Sequence, residues 1–244
     1  MPDIVLHQWC ISPYCGKIRK ILAFKRLSYR IEEYGGLRGL KAKSLSRAGM
    51  LPVLDYDGER VQDSSAIARF LEERHPTPSL WPDGVDRGLA HLLEDWADES
   101  LYNFELWFRL RDPQALTRAV SLACAGRPSY EHVLYKVGFL RSGRPFLARG
   151  LDRYPREMVL ASFQEHVDAL AARLARSPWL AGQAPSIADL AVAAQLDEMV
   201  RTSSKASELV AGSALPEWLS RCSFAKSADS PASAPASART RHAP

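Results

Sequence analysis

Along the first seventy-odd residues the spacing of apolar positions switches between two periods. Ile4 and Leu6 alternate with polar neighbours, which is the period of a half-buried strand. Ser12-Pro13 then opens a stretch in which Ile18, Ile21, Leu22 and Ala23 recur at helical spacing. Ser is a favoured N-cap and Pro a favoured first helical residue, so the helix start is well marked. Residues 29–34 predict a second strand, and Gly35, Gly36 and Gly39 an irregular loop. Leu51-Pro52-Val53-Leu54 begins a third strand. Asp57-Gly58 is a hairpin signal, so residues 59–62 should pair back on that strand. Residues 64–74 read as a helix with Ile67, Phe70 and Leu71 on one face. The order is strand, helix, strand, loop, strand, strand, helix.

Residues 75–82 carry three prolines and no periodicity, and beyond them the pattern is helical throughout. Leu89, Leu92, Leu93, Trp96 and Leu101 mark a helix over 87–110. Val159, Phe163, Val167 and Leu170 mark another over 157–176, with further helices over 186–200 and 216–222. Arg127-Pro128 and the stretch 143–155 break the pattern. Trp96, Trp107, Trp179 and Trp218 fall at helical spacings and are expected in the core. The pattern divides the chain into an α/β domain over 1–76, a linker over 77–86, a helical domain over 87–224 and a tail over 225–244. The tail is rich in Ala, Ser and Pro with no aromatic residue, and is expected to be disordered.

Composition narrows the class. The 244 residues are 46% apolar and 25% charged, enough to fill one or two cores. A wholly disordered chain is excluded, and no stretch approaches the ~20 apolar residues of a membrane-spanning helix. The start, Met1-Pro2-Asp3, reads as neither a signal nor a transit peptide. Cys10, Cys15, Cys124 and Cys222 form no C-x-x-C pair or zinc-like spacing, and His75, His91, His132 and His166 show no metal spacing. These features predict a reduced, intracellular protein without a metal. The net charge is +4, but ten basic residues lie between Lys17 and Arg47 against only Glu32 and Glu33. Such a lobe suits a small anion or an acidic surface, or else is a solvated helix face. No nucleic-acid-binding motif accompanies it.

Four short motifs bear on chemistry. Ser12-Pro13-Tyr14-Cys15 places a hydroxyl at a helix N-terminus, where free N–H groups and the macrodipole favour negative charge. A thiolate brought there is stabilised, and Cys15 in the first turn is itself a candidate for a lowered pKa. Leu51-Pro52 puts a proline at the start of a strand, a position where it donates nothing to the ladder. Asp63-Ser64 either caps the following helix or holds the ammonium and carboxylate of a ligand. Ser186-Ile187-Ala188-Asp189 is a capping box with Asp in the third position, a folding element.

Taken with Gly49-Met50-Leu51-Pro52-Val53-Leu54, Asp63-Ser64-Ser65-Ala66-Ile67 and Trp179-Leu180-Ala181-Gly182, these motifs resemble the cytosolic glutathione transferase superfamily over residues 3–222. The resemblance implies a thioredoxin-like N-terminal domain (β-α-β-α-β-β-α) and an all-α C-terminal domain. It implies a cis Pro52 and a cytoplasmic homodimer active in detoxification, conjugating glutathione to a small, apolar electrophile. Ser12 then takes the catalytic position. The Leu51 backbone pairs with the cysteinyl unit, Asp63 and Ser64 hold the γ-glutamyl end, and Lys41 or Lys43 meets the glycyl carboxylate. Two other readings keep the fold: a thiol transferase using Cys15 or Cys10, and a non-catalytic scaffold. The resemblance implies no metal, no nucleic acid and no membrane partner.

Overall fold

The computed structural model describes residues 2–224. The tail expected to be disordered, 225–244, lies outside the described residues. Among those residues the N-terminal domain runs β1 (Ile4–Gln8), α1 (Pro13–Phe24), β2 (Arg30–Glu33), a 3-10 segment (Gly36–Ser44), β3 (Val53–Tyr56), β4 (Glu59–Gln62) and α2 (Ser64–Arg74). The glycine-marked loop is thus helical, but as 3-10 turns rather than as the α-helix of the family pattern. The sheet order is β2-β1-β3-β4. β1 is parallel to β2 and antiparallel to β3, with Leu6 opposite both Ile31 and Leu54. β3 and β4 form the expected hairpin. Asp57 and Gly58 both take positive φ, 48° and 87°, as a two-residue turn matched to strand twist requires.

Polar side chains stitch the sheet across β1, β3 and β4. The His7 ring lies 3.0 Å from both the Tyr34 hydroxyl and an Asp55 oxygen. Arg60 donates to both oxygens of Asp55 at 2.6 and 2.7 Å. Those Arg60 bonds hold the Asp55 carboxyl down at about 2, His7 adding to the effect against a burial penalty.

The helical domain runs α3 (Arg87–Trp96), a π turn (Ala97–Leu101), α4 (Tyr102–Arg111), α5 (Pro113–Ala123), α6 (Ser129–Arg149), a 3-10 turn (Leu151–Arg153), α7 (Arg156–Leu174), α8 (Ile187–Thr202), α9 (Ser204–Ala211) and α10 (Leu215–Arg221). The expected break over 143–155 shrinks to residues 150–155. Pro145 sits inside α6 without ending it. Packing overrides the local cost: a Cβ on Gly143 would come within 2.5 Å of Leu110 Cδ1, so the bare glycine lets α6 lie close on α4, and Leu147 is buried beyond it. Trp107 and Trp218 are fully in the core, whereas Trp96 and Trp179 are partly buried against it.

α8 is the axis of this domain, with Leu190, Val192, Leu196 and Met199 all fully buried. Its capping box is complete. Asp189, without solvent exposure, accepts from the Leu180 N–H (2.9 Å), the Ser186 N–H (2.9 Å) and hydroxyl (3.0 Å), and the Trp218 indole (3.0 Å). One carboxylate thereby joins the Trp179–Gly182 turn, α8 and α10.

The two domains meet along α1, whose Gly16 lies against Ala194 of α8. The proline-rich linker is pinned. The buried Lys25 ammonium donates to Glu72 (2.6 Å) and to the carbonyls of His75 (2.6 Å) and Pro78 (2.9 Å), and Leu80 is fully buried. The basic lobe read from the sequence is therefore corrected. Lys17, Lys20 and Lys25 are buried and ion-paired with Glu94 and Asp98, Asp197, and Glu72, so they present no free charge to an anion. Lysine stems are long enough to bury while their ammonium groups find carboxylates, and a charge count along the chain cannot register that pairing.

Candidate functional site at the domain junction

A cleft of 640 Å³ opens between the domains. The N-terminal domain lines it with Tyr14, Arg47, Met50, Leu51, Pro52, Asp63 and Ser64, and α3 and the π turn add His91, Glu94, Asp95, Asp98 and Glu99. The Leu51-Pro52 peptide is cis. The Leu51 backbone makes no hydrogen bond among the described residues, so its N–H and C=O remain open to an extended ligand.

Asp63 is the N-cap of α2, its Oδ1 accepting the Ala66 N–H at 2.9 Å. Its other carboxylate oxygen accepts no hydrogen bond among the described residues. The two readings of Asp63-Ser64 therefore coexist: one oxygen caps the helix while the residue faces the cleft. Asp63 holds this place at φ 74°, a conformation that costs a non-glycine residue of order 1–3 kcal/mol and clusters at functional sites. Ser64 is buried beside the free N–H groups of the first turn of α2, a natural seat for a carboxylate.

The floor of the cleft is an ion cluster that spans the domains. Lys17 of α1 donates to Glu94 at 2.6 Å, to Asp98 at 2.7 Å and to the Ser65 hydroxyl at 3.1 Å. Burial raises the pKa of both carboxyls, and Lys17 opposes it. For Glu94 the ammonium and the Ser65 hydroxyl win and the pKa falls, whereas for Asp98 burial prevails and it rises. Glu94, Asp95, Asp98 and Glu99 against Lys17 and Arg69 leave this edge of the cleft net negative, as suits an ammonium-bearing ligand. Sequence reading missed these residues, because nothing local ties Lys17 to partners seventy-seven or more positions away.

Ser12 is the N-cap of α1, and its oxygen accepts the Cys15 N–H at 3.3 Å. Its own O–H meets no oxygen or nitrogen acceptor among the described residues; it bears on the Cys15 thiol, whose pKa it lowers. Ser12 is not among the residues that line the cleft; Tyr14, two positions on, is. The Tyr14 hydroxyl donates to the Asp98 carbonyl at 2.7 Å, and burial drives its pKa well up. Asp98 lies in the π turn, where an i→i+5 pattern replaces the α-helical one.

The thiols differ from expectation. Cys15 is fully buried, and burial pushes it up to about 11 in spite of its bond from Ser12 and its place at a helix start. Cys10 is also raised to about 11, chiefly by burial and then by Glu33, and its Sγ–H donates to the Leu122 carbonyl. The lowered pKa read from the sequence for Cys15 is therefore corrected: burial outweighs the helix start. Lys41 is exposed on the 3-10 segment and does not line the cleft, and the Lys43 side chain lies outside the described residues. The cation at the cleft near the cis-proline segment is Arg47, whose backbone N–H is fixed by Gln62 at 2.8 Å.

Residues 6–79 match the glutathione S-transferase N-terminal domain family and residues 150–221 the glutathione S-transferase C-terminal domain family, together more than half of the chain. The chain belongs to the glutathione S-transferase superfamily. A maleylacetoacetate isomerase from Dictyostelium discoideum is 29% identical over 93 residues, which is 35% of this chain and 42% of that protein. The chain thus spans less than half the length of this curated relative. Glutathione transferase GSTFuA3 from Phanerochaete chrysosporium has the same fold at TM-score 0.67 and 19% identity, covering 91% of this chain and 96% of its own. A glutathione S-transferase from Rhodospirillum rubrum F11 superposes at TM-score 0.55 and 24% identity, covering 85% and 86%. The N-terminal sheet with its helices and the all-helical second domain are those of the superfamily. Neither family match reaches residues 80–149.

Proposed function

We propose that this superfamily member transfers the glutathione sulfur to a small electrophile, with Ser12 activating the thiol. The observation that carries the reading is the Ser12 hydroxyl at the N-terminus of α1, given to no oxygen or nitrogen acceptor among the described residues and two positions before Tyr14, which lines the cleft with Leu51, Pro52, Asp63 and Ser64. Bound there, glutathione would place its cysteinyl unit along the Leu51 backbone. Its γ-glutamyl ammonium would meet Asp63 and the Glu94/Asp98 edge, and its γ-glutamyl carboxylate the first turn of α2. Arg47 takes the role first given to Lys41, meeting the glycyl carboxylate. The Ser12 hydroxyl then donates to the sulfur, which releases its proton to solvent. The thiolate attacks an electrophilic carbon, a C–S bond forms, and the leaving group departs with its bonding electrons.

Tyr14 supports the choice of Ser12 by contrast, since its hydroxyl is already committed to Asp98. The raised Cys15 and Cys10 thiols favour transfer from glutathione sulfur over chemistry on a protein thiol. We extend the same reading to a homodimer with a small apolar second substrate. Calorimetry should detect glutathione binding, and Ser12→Ala should lower kcat/KM roughly 100-fold, the usual loss on removing one donor to a developing anion, while glutathione still binds. Unchanged turnover in Ser12→Ala would remove Ser12 from the mechanism. Absence of glutathione binding would favour a scaffold role.

A further inference from the structure

Helix α6 presents an apolar face to solvent. Tyr130, Val133, Leu134 and Val137 stand at i, i+3, i+4 and i+7 along one side, and all are between 50% and 63% exposed. Monomeric surfaces scatter single apolar residues, but a contiguous stripe of four marks an interaction site. Arg141 and Arg144 continue the same side of the helix toward its C-terminus, exposed and without an ion-pair partner among the described residues. The single acidic residue of α6, Glu131, is turned inward, where it accepts the Leu37 N–H at 3.0 Å. The face therefore grades along its axis from purely apolar to purely basic.

We propose that this face of α6 docks an acidic segment of another protein, one carrying apolar anchors beside its carboxylates. Charge complementarity selects that occupant. A second copy of the chain, paired through the same face, would offer Arg141 and Arg144 only apolar or basic side chains and no carboxylate to receive them. An interfacial lipid-binding helix flanks its apolar sector with basic residues along its length, whereas here both arginines lie within the sector and at one end. A segment with apolar anchors at helical intervals followed by Asp or Glu matches the gradient. The proposal is independent of catalysis, since α6 lies in the stretch that neither family match reaches.

The test is a random-peptide display selection against the immobilised full chain, followed by fluorescence anisotropy of the enriched peptides. The expected peptides combine large apolar residues with Asp or Glu. Val137→Glu, and separately the pair Arg141→Glu and Arg144→Glu, should each weaken their binding at least tenfold. Met158→Glu, which alters an exposed apolar residue on α7, should leave it unchanged. All these positions are at the surface, so each variant should melt with the wild type. Selection that yields no peptide, peptides without acidic enrichment, or affinities indifferent to the α6 substitutions would overturn the proposal. So would pelleting with phosphatidylserine vesicles that depends on the same residues, which would assign the face to lipid. A concentration-dependent dimer dissolved by Val137→Glu would overturn it in favour of a second copy.

Discussion

Ser12 and Cys15 belong to one helical turn, yet their surroundings give them opposite chemistry. Ser12 caps the helix with its oxygen and gives its O–H to no oxygen or nitrogen among the described residues, whereas Cys15 is sealed beneath Tyr34, Leu51 and Val53. The helix macrodipole is worth roughly 0.3–1 kcal/mol to a charge near the surface, too little to offset full burial, so the thiol rises rather than falls. Burial is what a local motif cannot express, and for that reason Ser12 was legible as the cap of α1 while the state of Cys15 was not. Asp55 makes a residue-scale prediction on pH. Its folded pKa, about 2, lies below its ordinary 3.8. The stability it contributes is therefore fully present above pH ~3.8 and is lost as pH falls through about 2. Acid unfolding followed by circular dichroism should show a shallower loss of stability across that window in Asp55→Asn, from a lower starting stability at neutral pH.

At the scale of elements, local signals carried the strands, the β3–β4 hairpin, α1, α2 and the α8 cap, because each is specified by neighbours within a few positions. What the sequence pattern could not show is where packing overrides a breaker. Pro145 and Gly143 read as an interruption, but in α6 they are held by Leu110 and by burial of Leu147. The helix over 87–110 was legible as a whole, but not the π turn within it, whose Asp98 carbonyl accepts from Tyr14. The capping box predicts its own energetics. Asp189→Ala would leave four donors of the Trp179–Gly182 turn, α8 and α10 without an acceptor in a dry interior. Each unpaired buried donor costs ~1–3 kcal/mol. Urea unfolding should therefore show a loss of about 3 kcal/mol or more, with Asp189→Asn recovering part of it.

For the whole molecule, the decisive feature is the junction where Lys17 meets Glu94 and Asp98. Leu51, Pro52, Asp63 and Ser64 were legible as site candidates from motifs, but the acidic wall opposite them was not, since it exists only once the helical domain docks. Lys17→Met would leave buried carboxylates without their cation, a change that typically costs ~3–5 kcal/mol. The melting temperature should drop accordingly, and Lys17→Met combined with Glu94→Gln should restore part of it. The same junction bears on whether one domain can be exchanged. Its ammonium comes from the first domain and both its carboxylates from the second, so neither half is electrically complete alone. A chimera taking its N-terminal domain from a relative with an apolar residue at the Lys17 position would enclose two acids with nothing to neutralise them. Exchange of one domain at the proline-rich linker should therefore cost stability unless both sides of the junction change together.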